Sequence, residues 1–313
     1  MIKISIIIPT LHRPKDIEKT IDSIFESSLL PYKIIVVDQS DSDDTKKALQ
    51  GFNKSNITYY HISIQSGSKA RNFWITKIPP DTDIVLFLDD DVTLAKDCLS
   101  TLASYIDEYH PKWWVLNIDT PTRSINLPKK IWFFLMTGSN KFDEQFVTSG
   151  WFNAMFLSQP KRIKTVERCS GCAMFFHRSL FDEWFQFPKH FQKYSLMEDV
   201  FLSYAIHKKY PNTLHYLPNA KIIHHESPIR SIPPKTKIMQ NIIHRFLFVK
   251  EFNLSYVWYF WTTTVLWLLD MMSYKKFKVA VRYVQWMWYV YKNHKNISLN
   301  WTWLDYNEFI FSE

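Results

Sequence analysis

Residues 84–92, with the sequence IVLFLDDDV, restrict the possible folds of this chain more than any other stretch. Five apolar residues in a row are typical of a strand that is buried on both faces, as in parallel sheets. The run stops at three carboxylates, Asp89, Asp90 and Asp91, which would repel one another unless a cation lies among them. Since open α/β sheets bind ligands at the carboxyl ends of their strands, the stretch predicts a hard divalent cation bound by carboxylates and substrate phosphates. The alternative is a solvated acidic turn that caps a helix starting near Leu94.

Apolar runs and helical segments alternate along the first part of the chain. The runs predict strands at residues 4–8, 33–37, 58–62 and 84–88, separated by helices near residues 15–27, 45–52 and 69–76. This alternation predicts an α/β fold with a doubly wound, mostly parallel sheet. The irregular, aromatic residues 121–159 are interpreted as a lid or an acceptor surface.

The composition changes after Pro228, so we divide the chain into residues 1–227 and 228–313. Residues 229–313 contain eleven Lys and Arg against five Asp and Glu, so they account for six of the chain's net +8 charge. They also contain seven of its 13 Trp. Aromatic and basic residues together favour contact with an anionic membrane surface, and no nucleic-acid-binding module accompanies them. The uncharged residues 253–269 leave three alternatives open, namely a membrane span, an interfacial helix or part of a buried helical pair.

The residues at the amino terminus and the cysteines indicate a reducing compartment. The first residues, MIKISIIIPT, do not have the pattern of a signal peptide. The chain has three Cys, and Cys169 and Cys172 lack the further ligands that a zinc site requires. We therefore expect buried thiols and a location at the cytoplasmic face of the cell membrane.

Further polar residues follow the other predicted strands. Thr10 ends the first strand, with Arg13 close behind, and Asp38 is the first polar residue after the second strand. Residues 65–72, QSGSKARN, place Gly67 in a turn and Arg71 on the first turn of a helix. Because the carboxyl ends of parallel strands share one edge of a sheet, these side chains are expected to lie close to the acidic cluster.

The segments IIIPT, VVDQSDSDDT, GSKARN and FLDDDV, in this order, resemble the nucleotide-sugar-binding half of family 2 glycosyltransferases, which have the GT-A fold. Three later segments agree with this resemblance, namely CSGCAMFFHRSLF, MEDV and LPNAKIIHHES. The resemblance covers roughly residues 1–250. Within the family, the sequence most resembles rhamnosyltransferase-like enzymes that build surface polysaccharides.

The resemblance implies a role for each matching residue. Asp199 would be the general base and Glu198 would shape the acceptor site. The metal would be bound by Asp89, Asp91 and either His224 or His225, of which the offset after Ala220 favours His224. Residues that would bind the nucleotide sugar are Pro9, Thr10, Arg13, Asp38, Ser40, Gly67, Arg71, Asp89 and Asp90. Residues that would line the acceptor and donor pocket are Trp151, Ser170, Gly171 and Cys172. Many relatives have a second acidic residue at the position of Gln39 in this chain. This difference affects how the base of the nucleotide is recognised.

The resemblance also implies an activity. It predicts inverting transfer of one sugar from a nucleotide-sugar donor to a lipid-linked or glycan acceptor, with Mn²⁺ or Mg²⁺ as cofactor. A processive polysaccharide synthase is an alternative, but residues 240–246 (QNIIHRF) do not match the QxxRW motif of that class. A sugar nucleotidyltransferase would need a Gly-rich phosphate loop after the first strand, where this chain has residues 8–11 (IPTL).

Overall fold

A computed structural model divides the chain into two compact units. Unit 1 comprises Met1–Thr122, Gln159–Lys189 and Glu198–Arg230, and unit 2 comprises Arg123–Ser158, His190–Met197 and Ser231–Glu313. The structure describes residues 2–52, 55–63, 67–109, 113–118, 127–142, 144–151, 153–154, 156, 160–183, 185–188, 196–225, 227, 234–274, 277–295 and 297.

The described strands and helices are named in chain order. The strands are β1 Ile4–Thr10, β2 Lys33–Asp38, β3 Ile57–His61, β4 Ile84–Leu88, β5 Val92–Leu94, β6 Trp113–Ile118, β7 Phe146–Val147, β8 Asn153–Ala154, β9 Lys164–Thr165, β10 Ala173–His177 and β11 Leu214–His224. The α-helices are α1 Pro14–Phe25, α2 Asp44–Ala48, α3 Gly67–Ile75, α4 Cys98–Tyr109, α5 Leu127–Thr137, α6 Ser179–Asp182, α7 Glu198–Lys209, α8 Pro234–Glu251, α9 Tyr256–Tyr274 and α10 Phe277–Asn293.

Unit 1 is built on one twisted sheet with the strand order β3-β2-β1-β4-β10-β6-β11-β5, and β9 pairs with β11. Strands β3, β2, β1 and β4 are parallel to one another, and β6 is parallel to β11. Strand β10 lies antiparallel between β4 and β6, so those two strands run in the same direction. The predicted α/β class with a mostly parallel sheet is therefore confirmed.

The central strands are buried because their sequences are apolar on both faces. Every residue of β4 is buried, and Ile6, Ile8 and Val36 in β1 and β2 are fully inaccessible. Helix α1 begins with Pro14, which suits a first helical position, and it buries Ile17, Ile21 and Ile24 at helical spacing. This packing fixes the strand ends, from which the polar side chains extend.

Two local predictions differ from the structure. The residues after the acidic cluster form β5, and the next helix begins at Cys98, because the apolar Val92 and Leu94 pair with β11. The acidic cluster is thus not a solvated cap, since Asp90 and Asp91 are 5% and 4% exposed. Helix α3 already begins at Gly67, so Arg71 lies in its second turn rather than its first.

Strand β11 lies between β6 and β5 in the sheet. It pairs with β6 from Leu214 to Ile222, with a register shift between Leu217 and Lys221. Its last residues pair with β5, which sets His224 opposite Val92. Because Val92 directly follows Asp91, the pairing with β5 brings a histidine from far along the chain beside the acidic cluster.

Unit 2 contains α5, the short β7–β8 pair and the helices α8, α9 and α10. Its core is aromatic: Phe246 and Tyr259 are fully buried, and the Tyr259 hydroxyl donates to the Ile242 carbonyl at 2.9 Å. Trp151 is 1% exposed, and the Arg245 guanidinium lies 3.9 Å from the centre of one of its rings. In the ranges that the structure describes, no helix combines the length and the apolar character needed to cross a bilayer.

Candidate active site

The predicted polar residues of unit 1 meet where parallel strands end. Thr10 and Asp38 are the last residues of β1 and β2 and stand opposite each other in register. Asp89, Asp90 and Asp91 follow β4, which pairs with the other side of β1. The sheet therefore brings together three segments that are far apart in sequence, as the strand-end argument predicted.

Asp38 is fully buried and its carboxylate is hydrogen-bonded within the protein. The Tyr59 hydroxyl and the Ser40 amide donate to its two oxygens, each at 2.9 Å. The Ser40 hydroxyl in turn accepts the His12 amide at 2.7 Å, while Pro9 stands opposite Val37 in the sheet. These bonds hold the loop after β2 in one conformation, and the roles of Pro9, Asp38 and Ser40 in nucleotide binding stay predictions.

Asp90 is an anchor inside the acidic cluster. The Thr10 hydroxyl donates to one of its oxygens at 2.7 Å and Arg13 donates to the other at 2.9 Å. Burial raises the pKa of Asp90 to about 7, against the lowering effect of Arg13. Arg13 also donates to Asp91 at 3.2 Å, so one guanidinium offsets part of the charge of two neighbouring acids.

Asp89, Asp91 and His224 form a group of potential metal ligands. One ligand atom from each side chain lies within 4.8 Å of the other two. Asp91 Oδ1 is buried without a directed hydrogen bond from any described residue, although His224 Nε2 lies 3.2 Å away. A buried carboxylate oxygen without a donor is costly, and two carboxylates with one imidazole are ligands that Mn²⁺ accepts. The residues present therefore fit a divalent cation.

The position of His225 favours His224 as the metal ligand. His225 is exposed, and its Nε2 lies 2.8 Å from the Thr93 hydroxyl, outside the group of three. We expect His224→Gln to weaken Mn²⁺ binding at least about tenfold, whereas His225→Gln leaves the affinity unchanged. Electron paramagnetic resonance of titrated Mn²⁺ measures both affinities, and equal losses in the two variants would contradict the assignment.

Arg71 links the acidic cluster to the start of α7. It is 6% exposed, donates a hydrogen bond from Nη1 to Glu198, and places Nη2 3.5 Å from Asp89 Oδ1. Burial raises the pKa of Glu198 to about 7, although the Arg71 charge acts in the opposite direction. The guanidinium is therefore already engaged by two acids, and its predicted contact with the base or phosphate of a nucleotide stays a prediction.

Removing Arg71 is expected to destabilise the protein strongly. Arg71→Met leaves Glu198, whose side chain is 12% exposed, and the partly buried Asp89 without their counter-charge, which costs about 3–5 kcal/mol of unfolding free energy. The matched control is Arg178→Met, which removes a pair with Asp182 in which the two side chains are 28% and 59% exposed, and it is expected to cost less than about 1 kcal/mol. Urea unfolding of both variants measures the difference, and equal losses would refute a structural role for the buried pair.

Asp199, the predicted general base, lies at the amino-terminal end of α7. Its Oδ2 accepts the Gly171 amide at 2.8 Å, which joins it to the segment before β10. A side chain on Gly171 would meet Asp199 at 3.4 Å, so the two chains pass close together there. Ser203 supports this turn by donating to the Asp199 carbonyl at 2.6 Å.

The predicted pocket residues fall into both units. Ser170, Gly171 and Cys172 belong to unit 1, and the Cys172 carbonyl accepts the Asp89 amide at 3.0 Å. Cys169 and Cys172 are buried free thiols. Trp151 belongs to unit 2 and its role in the pocket stays a prediction, as does that of Gly67.

Three residues contribute to the site although the sequence analysis did not predict a role for them. Tyr59 donates to Asp38, the Ser227 amide donates to Asp91 Oδ2 at 2.9 Å, and the Thr20 hydroxyl lies 2.8 Å from the carbonyl oxygens of Asp90 and Val92. Each of these contacts depends on strand register or on helix packing. Local sequence carries no signal for them.

Comparison with known proteins identifies the family and relatives of this chain. The model of "Glycosyl transferase family 2" matches residues 5–185. The poly(ribitol-phosphate) β-N-acetylglucosaminyltransferase TarS of Staphylococcus aureus is 27% identical over 113 residues, 35% of this chain and 20% of TarS. A GalNAc(5)-diNAcBac-PP-undecaprenol β-1,3-glucosyltransferase of Campylobacter jejuni is 35% identical over 112 residues, 34% of this chain and 36% of that protein. The O-antigen chain rhamnosyltransferase RfbN of Salmonella typhimurium is 26% identical over 204 residues, 64% of this chain and 60% of RfbN.

Solved structures share the fold at low sequence identity. The crystal structure of TarS residues 1–349 has a TM-score of 0.57 at 17% identity, covering 91% of this chain and 79% of that one. The mannosyltransferase PcManGT of Pyrobaculum calidifontis, in complex with GDP-Man and Mn²⁺, has a TM-score of 0.55 at 12% identity, covering 92% and 80%. The fold is that of the GT-A glycosyltransferases. The family match extends over more than half of the chain, and the chain belongs to glycosyl transferase family 2.

The sequence matches cover limited parts of the curated relatives. The match to TarS spans about a fifth of that protein, and the match to the Campylobacter enzyme spans about a third. The family match nevertheless confirms the resemblance inferred from the sequence motifs, at the level of family and enzyme class.

Proposed function

We propose that the chain is an inverting, metal-dependent glycosyltransferase that moves one sugar from a nucleotide-sugar donor to an acceptor in cell-surface polysaccharide synthesis. The observation that carries the proposal is the group Asp89, Asp91 and His224 at the carboxyl edge of the sheet, connected through Arg71 to Glu198. Asp89, Asp91 and His224 would hold the cation of a metal–diphosphate complex. The imidazole of His224 favours Mn²⁺, because Mg²⁺ prefers oxygen ligands.

In the proposed reaction, the sugar leaves its nucleoside diphosphate while an acceptor hydroxyl attacks the anomeric carbon. When bound, the divalent cation supplies charge stabilisation for the departing diphosphate. Asp199 takes the proton from the acceptor hydroxyl as the new bond forms. The Gly171 amide orients its carboxylate. A single base and direct displacement invert the configuration at the anomeric carbon.

The proposed acceptor is a lipid-linked or glycan saccharide. The name of the Campylobacter relative describes an acceptor with an undecaprenol diphosphate, and that of RfbN describes an O-antigen chain. The basic and aromatic residues 229–313 support a position on an anionic membrane surface, at the cytoplasmic face where such acceptors are presented.

A donor screen tests the proposal directly. Purified protein is incubated with UDP-, dTDP- and GDP-sugars, with and without Mn²⁺, and release of the nucleoside diphosphate is measured. We expect release with one nucleotide class, dependent on added metal and abolished by chelation. Metal-independent release with a retained anomeric configuration in the product would contradict both parts of the proposed mechanism.

A further inference from the structure

Helix α10 of unit 2 has two apolar faces. One face is buried and includes Tyr283, Trp286 and Val290, which are at most 4% exposed. The opposite face is exposed, at 41%, 51%, 55% and 58%, in a set that we call the outer stripe: Val281, Val284, Trp288 and Tyr291. Because these positions are three or four residues apart, they share one side of the helix. Apolar residues aligned in this way on a surface indicate a contact with another apolar body.

A groove lies beside the outer stripe, between α9 and α10. Its volume is about 280 Å³, and Val284, Trp288 and Tyr291 form one wall, with Phe260 and Trp267 on the other. The hydroxyl of Thr264, which also lines the groove, donates to the Phe260 carbonyl at 2.8 Å. That hydroxyl is thus already used within its own helix, and the walls suit a hydrocarbon chain.

The charge of α10 identifies the chemistry of the partner. Residues 277–295 contain four basic residues and no acidic residue: Lys278, Arg282, Lys292 and Lys295. Lys292 is exposed, next to Tyr291 in sequence, and its ammonium lies 5.0 Å from the centre of the Trp288 ring. Cations and Trp or Tyr beside exposed apolar side chains are the combination that binds the interface of an anionic bilayer.

We propose that the outer stripe and the groove dock unit 2 on an anionic phospholipid bilayer. One acyl chain lies in the groove, and a lipid phosphate lies against the ammonium of Lys292. This inference rests on the proposed membrane association and specifies the surface that makes it. The partner is a phospholipid because the stripe is apolar and the charged residues of the helix are all basic. A phospholipid supplies an acyl chain for the first and a phosphate for the second in one molecule.

Vesicle sedimentation of the full chain tests the docking surface. The double variant Val284→Gln/Trp288→Gln is compared with Leu30→Gln, which changes a residue of unit 1 that is 51% exposed. We expect the double variant to bind phosphatidylglycerol-containing vesicles at least about tenfold more weakly, because two apolar side chains lose their burial in lipid. The control should bind like the unchanged protein. Since both altered residues are more than half exposed, thermal unfolding should be unaffected.

A charge reversal tests the phosphate contact. Lys292→Glu should weaken binding to phosphatidylglycerol-containing vesicles about tenfold or more and leave the weak binding to pure phosphatidylcholine unchanged. Lys46→Glu, an exposed change in unit 1, has the same effect on net charge and serves as the control. Equal losses in the two variants would show that net charge alone governs binding, which would overturn the proposed surface.

The remaining outcomes separate this inference from the proposed function. If the unchanged protein binds no vesicles, the membrane association itself fails, while donor hydrolysis without vesicles still reports on the enzyme. If the double variant binds vesicles normally, the docking surface is wrong. If light scattering shows a dimer that the double variant loses, a second copy occupies the stripe. If truncation after Ile297 strengthens vesicle binding several-fold, the chain's own last residues occupy the groove. Occupation of the stripe by a second copy, or of the groove by the chain's own last residues, overturns the proposal.

Discussion

Asp199→Asn is expected to reduce sugar transfer by about 10²–10⁴-fold while leaving donor binding intact. The amide has nearly the same shape as the carboxylate and still offers an oxygen to the Gly171 amide, so the turn at the start of α7 is preserved. It accepts no proton at neutral pH, and the acceptor hydroxyl then attacks without a base. Transfer to an acceptor and affinity for the nucleoside diphosphate are measured in parallel.

The control for this variant is Asp182→Asn in the same unit. Asp182 is 59% exposed in its side chain and pairs with Arg178 on the surface, so transfer should not change. If Asp199→Asn retains full transfer, the residue is not the base. A loss of nucleotide affinity together with transfer would show instead that the variant disturbs the donor site.

Asp91→Asn is expected to cost about 10²-fold or more in transfer, together with a large loss of Mn²⁺ affinity. The substitution removes the negative charge of the Asp91 carboxylate. The Oδ1 atom of this carboxylate lies 3.2 Å from His224 Nε2, within the candidate metal group. The asparagine oxygen can still accept the Ser227 amide, which limits the damage to the fold. Saturating Mn²⁺ should restore part of the activity, because the loss lies in affinity.

Circular dichroism and thermal unfolding of Asp91→Asn separate folding from metal binding. The same substitution at Asp107, which lies on α4 in unit 1, is the control and should leave Mn²⁺ affinity unchanged. If Asp91→Asn transfers sugar normally without added metal, the cation has no place in the reaction.

The strand ends of the site could be predicted because each depends on a local pattern. The apolar runs before Thr10, Asp38 and Asp89 stop sharply, and parallel pairing then places the three residues at one edge. The family motifs added Asp199 and His224, which no local pattern would have joined to the acids.

The contacts between distant segments could not be predicted. The register of β11 against β5 decides that His224 and not His225 joins Asp91, and one residue of slip would exchange them. The engagement of Arg71 by Glu198 likewise depends on the packing of α3 against the start of α7. A solvated helix cap was an alternative for the acidic cluster until the pairing of β5 with β11 was known.

Mn²⁺ titration followed by electron paramagnetic resonance, with and without a nucleoside diphosphate, tests the central claim most directly. The unchanged protein should bind about one Mn²⁺ per chain, more tightly when the nucleotide preferred in the donor screen is present, since the diphosphate supplies further oxygen ligands. Asp91→Asn and His224→Gln should each lose this nucleotide-enhanced binding. Tight binding that persists in both variants, or that is indifferent to the nucleotide, would contradict the proposed metal–diphosphate site.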